Sequence, residues 1–187
     1  MGCFLRNAVL FLFLAICGSG SSGRPTLIVR ERVQRPSKGT LNCEGKLSVS
    51  LSFSTITFFD DGEVAQLAWI VPACSDPAKA SVWTPPAGTL VRRSKLQAGD
   101  RDVLRRFLDL PEVEALTDFM NAGPGVGDYQ IEIHRASATQ KISVLSLMPE
   151  HDQLRHDPTL LRVICRAKEL GGGDRPRWCV TLPIRLP

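Results

Sequence analysis

The sequence predicts an α+β domain, an antiparallel sheet of four to six strands with helices packed on one face. Three observations lead there. Leu47, Val49, Leu51 and Phe53 alternate with serines, and Tyr129, Ile131 and Ile133 alternate with Gln130, Glu132 and His134, the period of strands with one buried face. Val103, Leu104, Phe107 and Leu108 recur at helical spacing, as do Leu160, Leu161, Ile164 and Ala167. The connections at Asp61-Gly62 and Ala136-Ser137-Ala138 are of hairpin length, so the strands they join run antiparallel.

In chain order, residues 1–23 read as a signal peptide or lipoprotein signal with a Gly/Ser tether. Arg6 precedes the apolar run 8–16, which is too short to span a bilayer and fits an export signal. Cleavage among the small residues after Cys17 is one outcome. The other is lipidation of Cys17, because Leu14-Ala15-Ile16-Cys17 resembles a bacterial lipobox, from which Ile16 departs. Either way no transmembrane span remains in the mature chain. Residues 24–39 form a basic extended arm, with Leu27, Val29 and Val33 on one side, able to add an edge strand. Its five basic residues (Arg24, Arg30, Arg32, Arg35, Lys38) face one acid, Glu31, whereas the whole chain carries +4, so the rest is nearly neutral. No basic face with interleaved aromatics appears, and nucleic acid is not an expected partner.

Residues 40–170 make the single α+β domain. After Phe53 the apolar parity shifts to Ile56 and Phe58, which reads as a β-bulge near Ser54–Thr55. Asp61-Gly62 turns the chain, 64–71 returns, and 72–88 is a proline-rich loop packed by Trp83. A third strand follows over 89–93. Asp100 caps a helix, and Asp109 with Pro111 starts a second one carrying Val113, Leu116, Phe119 and Met120. Gly123, Gly125 and Gly127 then reverse helix into strand. Phosphate loops run the other way, strand into helix, so this loop is read as structural. Asp157-Pro158 opens the last helix and Gly171-Gly172-Gly173 ends it, leaving 171–187 as a tail. Helices on one face leave the serine-bearing face to solvent.

Cys43, Cys74, Cys165 and Cys179 follow the export segment, and in an exported chain they read as two disulfides with three possible connectivities, of which Cys43–Cys74 with Cys165–Cys179 is favoured. No CxxC or paired-histidine spacing points to zinc, so no metal, cofactor or catalytic residue is assigned. The densest polar run holds Glu150, His151, Asp152, His156 and Asp157, read first as a solvated turn. Asp128, His134, Glu150 and His151 are retained as a candidate surface site.

The segments Asp60-Asp61-Gly62-Glu63-Val64, 121–129 (Asn-Ala-Gly-Pro-Gly-Val-Gly-Asp-Tyr) and Leu147-Met148-Pro149-Glu150-His151 resemble small exported bacterial proteins of unknown function. The resemblance covers about 47–170 and implies a periplasmic or secreted location; it carries no activity. The leading expectation is an exported non-catalytic binding module of the bacterial envelope, with an envelope or protein partner. Two alternatives stand beside it: an envelope enzyme using Glu150-His151-Asp152 near Asp128 and His134, and a structural lipoprotein anchored through Cys17.

The disulfide reading predicts no free thiol among the four cysteines of the exported chain. Iodoacetamide labelling of denatured, unreduced protein checks it, and two or more labelled cysteines would exclude the two-bridge pattern.

Overall fold

The computed structural model describes residues 23–36, 48–74, 85–120, 127–147, 158–172 and 179. Cys17, Cys43, Trp83, Gly123, Gly125, Glu150, His151, Asp152, His156 and Asp157 lie outside them, as does the side chain of Cys74.

The strands are β1 (Pro25–Pro36), β2 (Ser48–Phe59), β3 (Glu63–Cys74), β4 (Val91–Lys95), β5 (Phe119–Met120), β6 (Gly127–His134) and β7 (Thr139–Leu147). The helices are α1 (Ala98–Leu108), α2 (Pro111–Glu114) and α3 (Pro158–Gly171). The seven strands form one sheet in the order β4-β3-β2-β1-β6-β7-β5. Neighbours are antiparallel except β5, which runs parallel to β7.

The expected antiparallel sheet of four to six strands with a helical face is therefore corrected: the described residues are mostly β, forming a seven-stranded mixed sheet and three short helices. Two segments account for the difference. The basic stretch read as an edge strand is β1, the middle of the sheet, paired with β2 on one side and β6 on the other. Arginines on a central strand need acids beside them, and β6 supplies these as Glu132 and Asp128. Phe119 and Met120, spaced as helix residues, instead form β5, because α2 ends after one turn at Glu114. The Gln140 amide nitrogen from β7 donates toward the carbonyls of Val113 (3.1 Å), Glu114 (3.1 Å) and Leu116 (2.9 Å), closing off that end. Arg135, between β6 and β7, likewise donates to the Leu108 carbonyl (2.8 Å) at the end of α1 and to Gln140 Oε1 (2.9 Å). A cation there also suits the negative end of the helix dipole.

The parity shift in β2 is not a bulge. Pairing of β2 with β3 runs without interruption from Ser48 to Phe58. The strand instead buries opposite faces at its two ends. Ile56 and Phe58 join Leu27, Val29, Val64, Ile131, Ile133, Ile142 and Val144 under the buried residues of α1, α2 and α3. Leu51 and Phe53 point the other way and pack with Trp69, whose ring stacks on Phe53 at 5.2 Å between centroids. Length explains the arrangement. A twelve-residue strand runs about 40 Å, and the fourteen residues of α3 reach about 21 Å, so the helices cover only one end. Ser50, Ser52 and Ser54 lie on the helix-bearing face, contrary to expectation, and Ser54 is drawn beneath α3.

Other local expectations stand. β2 and β3 join through Asp60, Asp61 and Gly62, with Gly62 at φ +86 and its amide donating to the Phe59 carbonyl (3.0 Å). The Asp61 side chain accepts from the Glu63 amide (3.0 Å). Leu160, Leu161, Ile164 and Ala167 of α3 are all buried. Cys165 and Cys179 are disulfide-bonded, with Cα atoms 5.5 Å apart, and both are fully buried. α1 starts one turn earlier than read: Gln97 is its N-cap, and Asp100 lies in its first turn. Among the described residues no helix is long and apolar enough to cross a membrane.

The seat of α3 is tight. A Cβ on Gly171 would lie 2.6 Å from Cγ2 of Ile56, which is itself in the core. Gly171→Ala should therefore cost about 1–3 kcal/mol by overpacking. An unchanged denaturation midpoint would show that α3 is not seated this closely.

Candidate functional site

Two groups of ionisable side chains stand out, one on each face of the sheet. The first is buried. Glu31 continues the inward series of Leu27 and Val29 along β1 and meets Ser54 and Tyr129, its register partners on β2 and β6. Tyr129 Oη donates to Glu31 Oε1 (2.6 Å), and Ser54 Oγ donates to Oε2 (3.0 Å). Lys168 comes down from α3, 4 % exposed, and its ammonium donates to the same Oε2. Lys168 Nζ also lies 3.4 Å from Ser54 Oγ.

Burial pushes the Glu31 carboxyl up, but the Lys168 charge and the hydrogen bonds from Lys168, Tyr129 and Ser54 outweigh it and hold the group below its ordinary value. Burial first, then the Glu31 charge and its hydrogen bond, push the Tyr129 phenol well above its ordinary value. A serine beside a lysine invites a catalytic reading, but the hydrogen bonds run in the wrong direction. The Ser54 proton goes to Glu31, and the Lys168 ammonium donates to Glu31 and Ser54, whereas a general base must accept the nucleophile's proton. The geometry is that of a satisfied buried ion pair.

The second group lies on the opposite face, where β1 and β6 are paired. Arg30 Nη1 donates to Glu132 Oε1 (2.6 Å), and Arg32 Nε donates to Asp128 Oδ2 (2.9 Å), each between neighbouring strands. His134 Nε2 lies 3.5 Å from Glu132, and its Nδ1 meets Thr139 Oγ1 at 3.2 Å. Burial raises the Glu132 carboxyl, and the Arg30 hydrogen bond and charge, with Lys141 and His134, bring it below its ordinary value. Asp128 and His134, expected in one surface site, share this face but sit at opposite ends of β6. Six residues of strand separate them by about 20 Å, so both cannot act on one atom. Among the described residues no three His, Cys, Asp or Glu side chains are grouped to hold a metal ion.

Sequence reading missed the Glu31–Tyr129–Ser54–Lys168 cluster, although its signal was present. Glu31 stands at the inward parity of β1, and Lys168 follows Ile164 by four residues on the apolar stripe of α3. Two opposite charges on two inward faces are the signature of a pair. Compared with the models of known protein families and with curated proteins, the sequence finds no match in either.

Lys168→Met should cost about 3–5 kcal/mol by stranding Glu31. Adding Glu31→Gln, which removes the stranded charge and keeps one acceptor oxygen for Tyr129, should recover much of that loss in chemical denaturation. The pH profile of the wild type follows from the same cluster. Glu31 is depressed on folding, so its contribution is complete above the ordinary carboxylate value of 4.5 and is lost as pH falls through its lower folded value. Tyr129 is raised, so its contribution is complete below 10.0 and declines as pH rises beyond that. Equal destabilisation by the single and double variants would show that the pair is not coupled.

Proposed function

We propose that this protein is an exported, non-catalytic binding module of the bacterial cell envelope. The observation that carries the reading is the use made of the ionisable groups in the sheet. Glu31 and Lys168 satisfy each other in the core, and Arg30, Arg32, Glu132 and Asp128 cross-link the two central strands. Acid–base chemistry needs a group whose proton or lone pair faces a substrate, and these groups face one another. The buried Cys165–Cys179 bridge supports export, because such bonds persist in oxidising compartments. The resemblance of 60–64, 121–129 and 147–151 to small exported bacterial proteins points the same way.

The test uses the processed chain purified from cells. Fractionation should find it outside the cytosol with Cys165 and Cys179 oxidised. Immobilised native protein should retain a saturable partner from envelope extract, and reduced, denatured protein should not. Retention of no partner, together with turnover of an envelope component by the purified chain, would replace the binding reading with an enzymatic one.

A further inference from the structure

We infer that β4 is a docking edge that takes an acidic, extended segment of a partner protein as an added strand. The inference rests on the binding-module reading and names the element that binds. β4 ends the sheet and pairs with β3 along one side, Glu63↔Lys95 through Leu67↔Val91. Its other side has no strand neighbour among the described residues, so its amides and carbonyls there form a row able to pair with a further strand. Arg92, Arg93, Ser94 and Lys95 are all exposed.

Charge selects the occupant. Three of the five residues of β4 are basic: Arg92, Arg93 and Lys95. The strand alternation places Arg93 and Lys95 on one face of the sheet and Arg92 on the other. Arg93 is paired with Glu63, and no carboxylate among the described residues pairs with Arg92 or Lys95. The cations of the sheet centre, Arg30 and Arg32, each have an acid beside them; those of the edge exceed their acids. A second copy of this chain docking β4 against β4 would set arginine and lysine against arginine and lysine, which is repulsive. A strand bearing carboxylates on both faces would meet opposite charge on both. The backbone ladder would supply affinity and the charges register and selectivity.

The probe is a fluorescent peptide of repeating Glu-Glu-Val-Val, which as a strand carries carboxylates on both faces, titrated with the full processed chain by anisotropy. Saturable binding is expected, with backbone amides of β4 gaining protection from hydrogen exchange. The Arg92→Glu, Lys95→Glu double variant, at two exposed side chains, should weaken binding tenfold or more while keeping the wild-type melting temperature. The same peptide N-methylated at successive residues, which blocks both of its edges, keeps its charge but cannot complete the ladder, and it too should bind at least tenfold more weakly. This arm acts on the ligand and does not depend on how a variant folds. Equal binding of the methylated peptide, or equal binding of a single-stranded oligonucleotide, would reduce β4 to a general polyanion patch and overturn the inference, as would no binding at all. If the double variant still captures the envelope partner as wild type does, the edge is excluded and the binding module stands. If wild type captures none, the parent reading fails instead.

Discussion

Lys168 reaching Glu31 is the contact through which the helix layer and the middle of the sheet hold each other in place. Lys168 is buried and Glu31 largely so, and each charge finds its closest partner in the other. The pair therefore fixes the rotation of α3 about its axis and its position along β1. Purely apolar packing of Leu160, Leu161, Ile164 and Ala167 would tolerate small slips, whereas a buried ammonium has one acceptor set within reach. Gly171, one turn beyond Lys168, lets the end of the same helix close on Ile56. Cys165, one turn before it, is bonded to Cys179. Three different constraints thus act within two turns of one helix.

The sheet shows how a long strand is used when the helices are short. β1, β2 and β3 have twelve residues each, more than α3 can span. The half beneath the helices buries Ile56 and Phe58, and the other half turns Leu51, Phe53 and Trp69 to the opposite face. A strand that changes its buried face shows in sequence as a one-residue slip of the apolar pattern, and so does a bulge. Only the pairing register separates the two. Here the register is continuous, so the slip marks a change of neighbours rather than a break in the ladder.

Much of what neighbouring residues determine is legible in the sequence, the start of α1 and the unbroken ladder of β2 excepted, whereas what depends on distant partners is not. The turn at Gly62, the hairpin between β6 and β7 and the buried stripe of α3 each follow from residues a few positions apart. The place of β1 does not. Arg30 and Arg32 look like surface charges until Glu132 and Asp128, about a hundred residues later in the chain, are set beside them. The same holds for β5. Phe119 and Met120 fit a helical period, and what stops α2 is the side chain of Gln140 on another strand. In the candidate site, Asp128 and His134 read from the sequence as two polar residues of one surface site. Their six-residue separation along one extended strand holds them apart, which the alternation around Tyr129, Ile131 and Ile133 already implied.

The central strand of a sheet is costly ground for charge, because desolvation there must be offset by a partner at close range. This chain places Arg30, Glu31 and Arg32 in succession on that strand and provides each with its own partner: Glu132, Lys168 and Asp128. Such matching makes those residues part of the folding code, and it leaves them little freedom to serve a ligand. Charge at β4 stands under no such demand. An edge strand folds as well with threonine or serine as with arginine, so Arg92 and Lys95 are not required by the packing that surrounds them. Basic residues on an edge do keep like edges apart. The same charges that repel another basic edge attract an acidic one, so the device against self-association also sets partner choice.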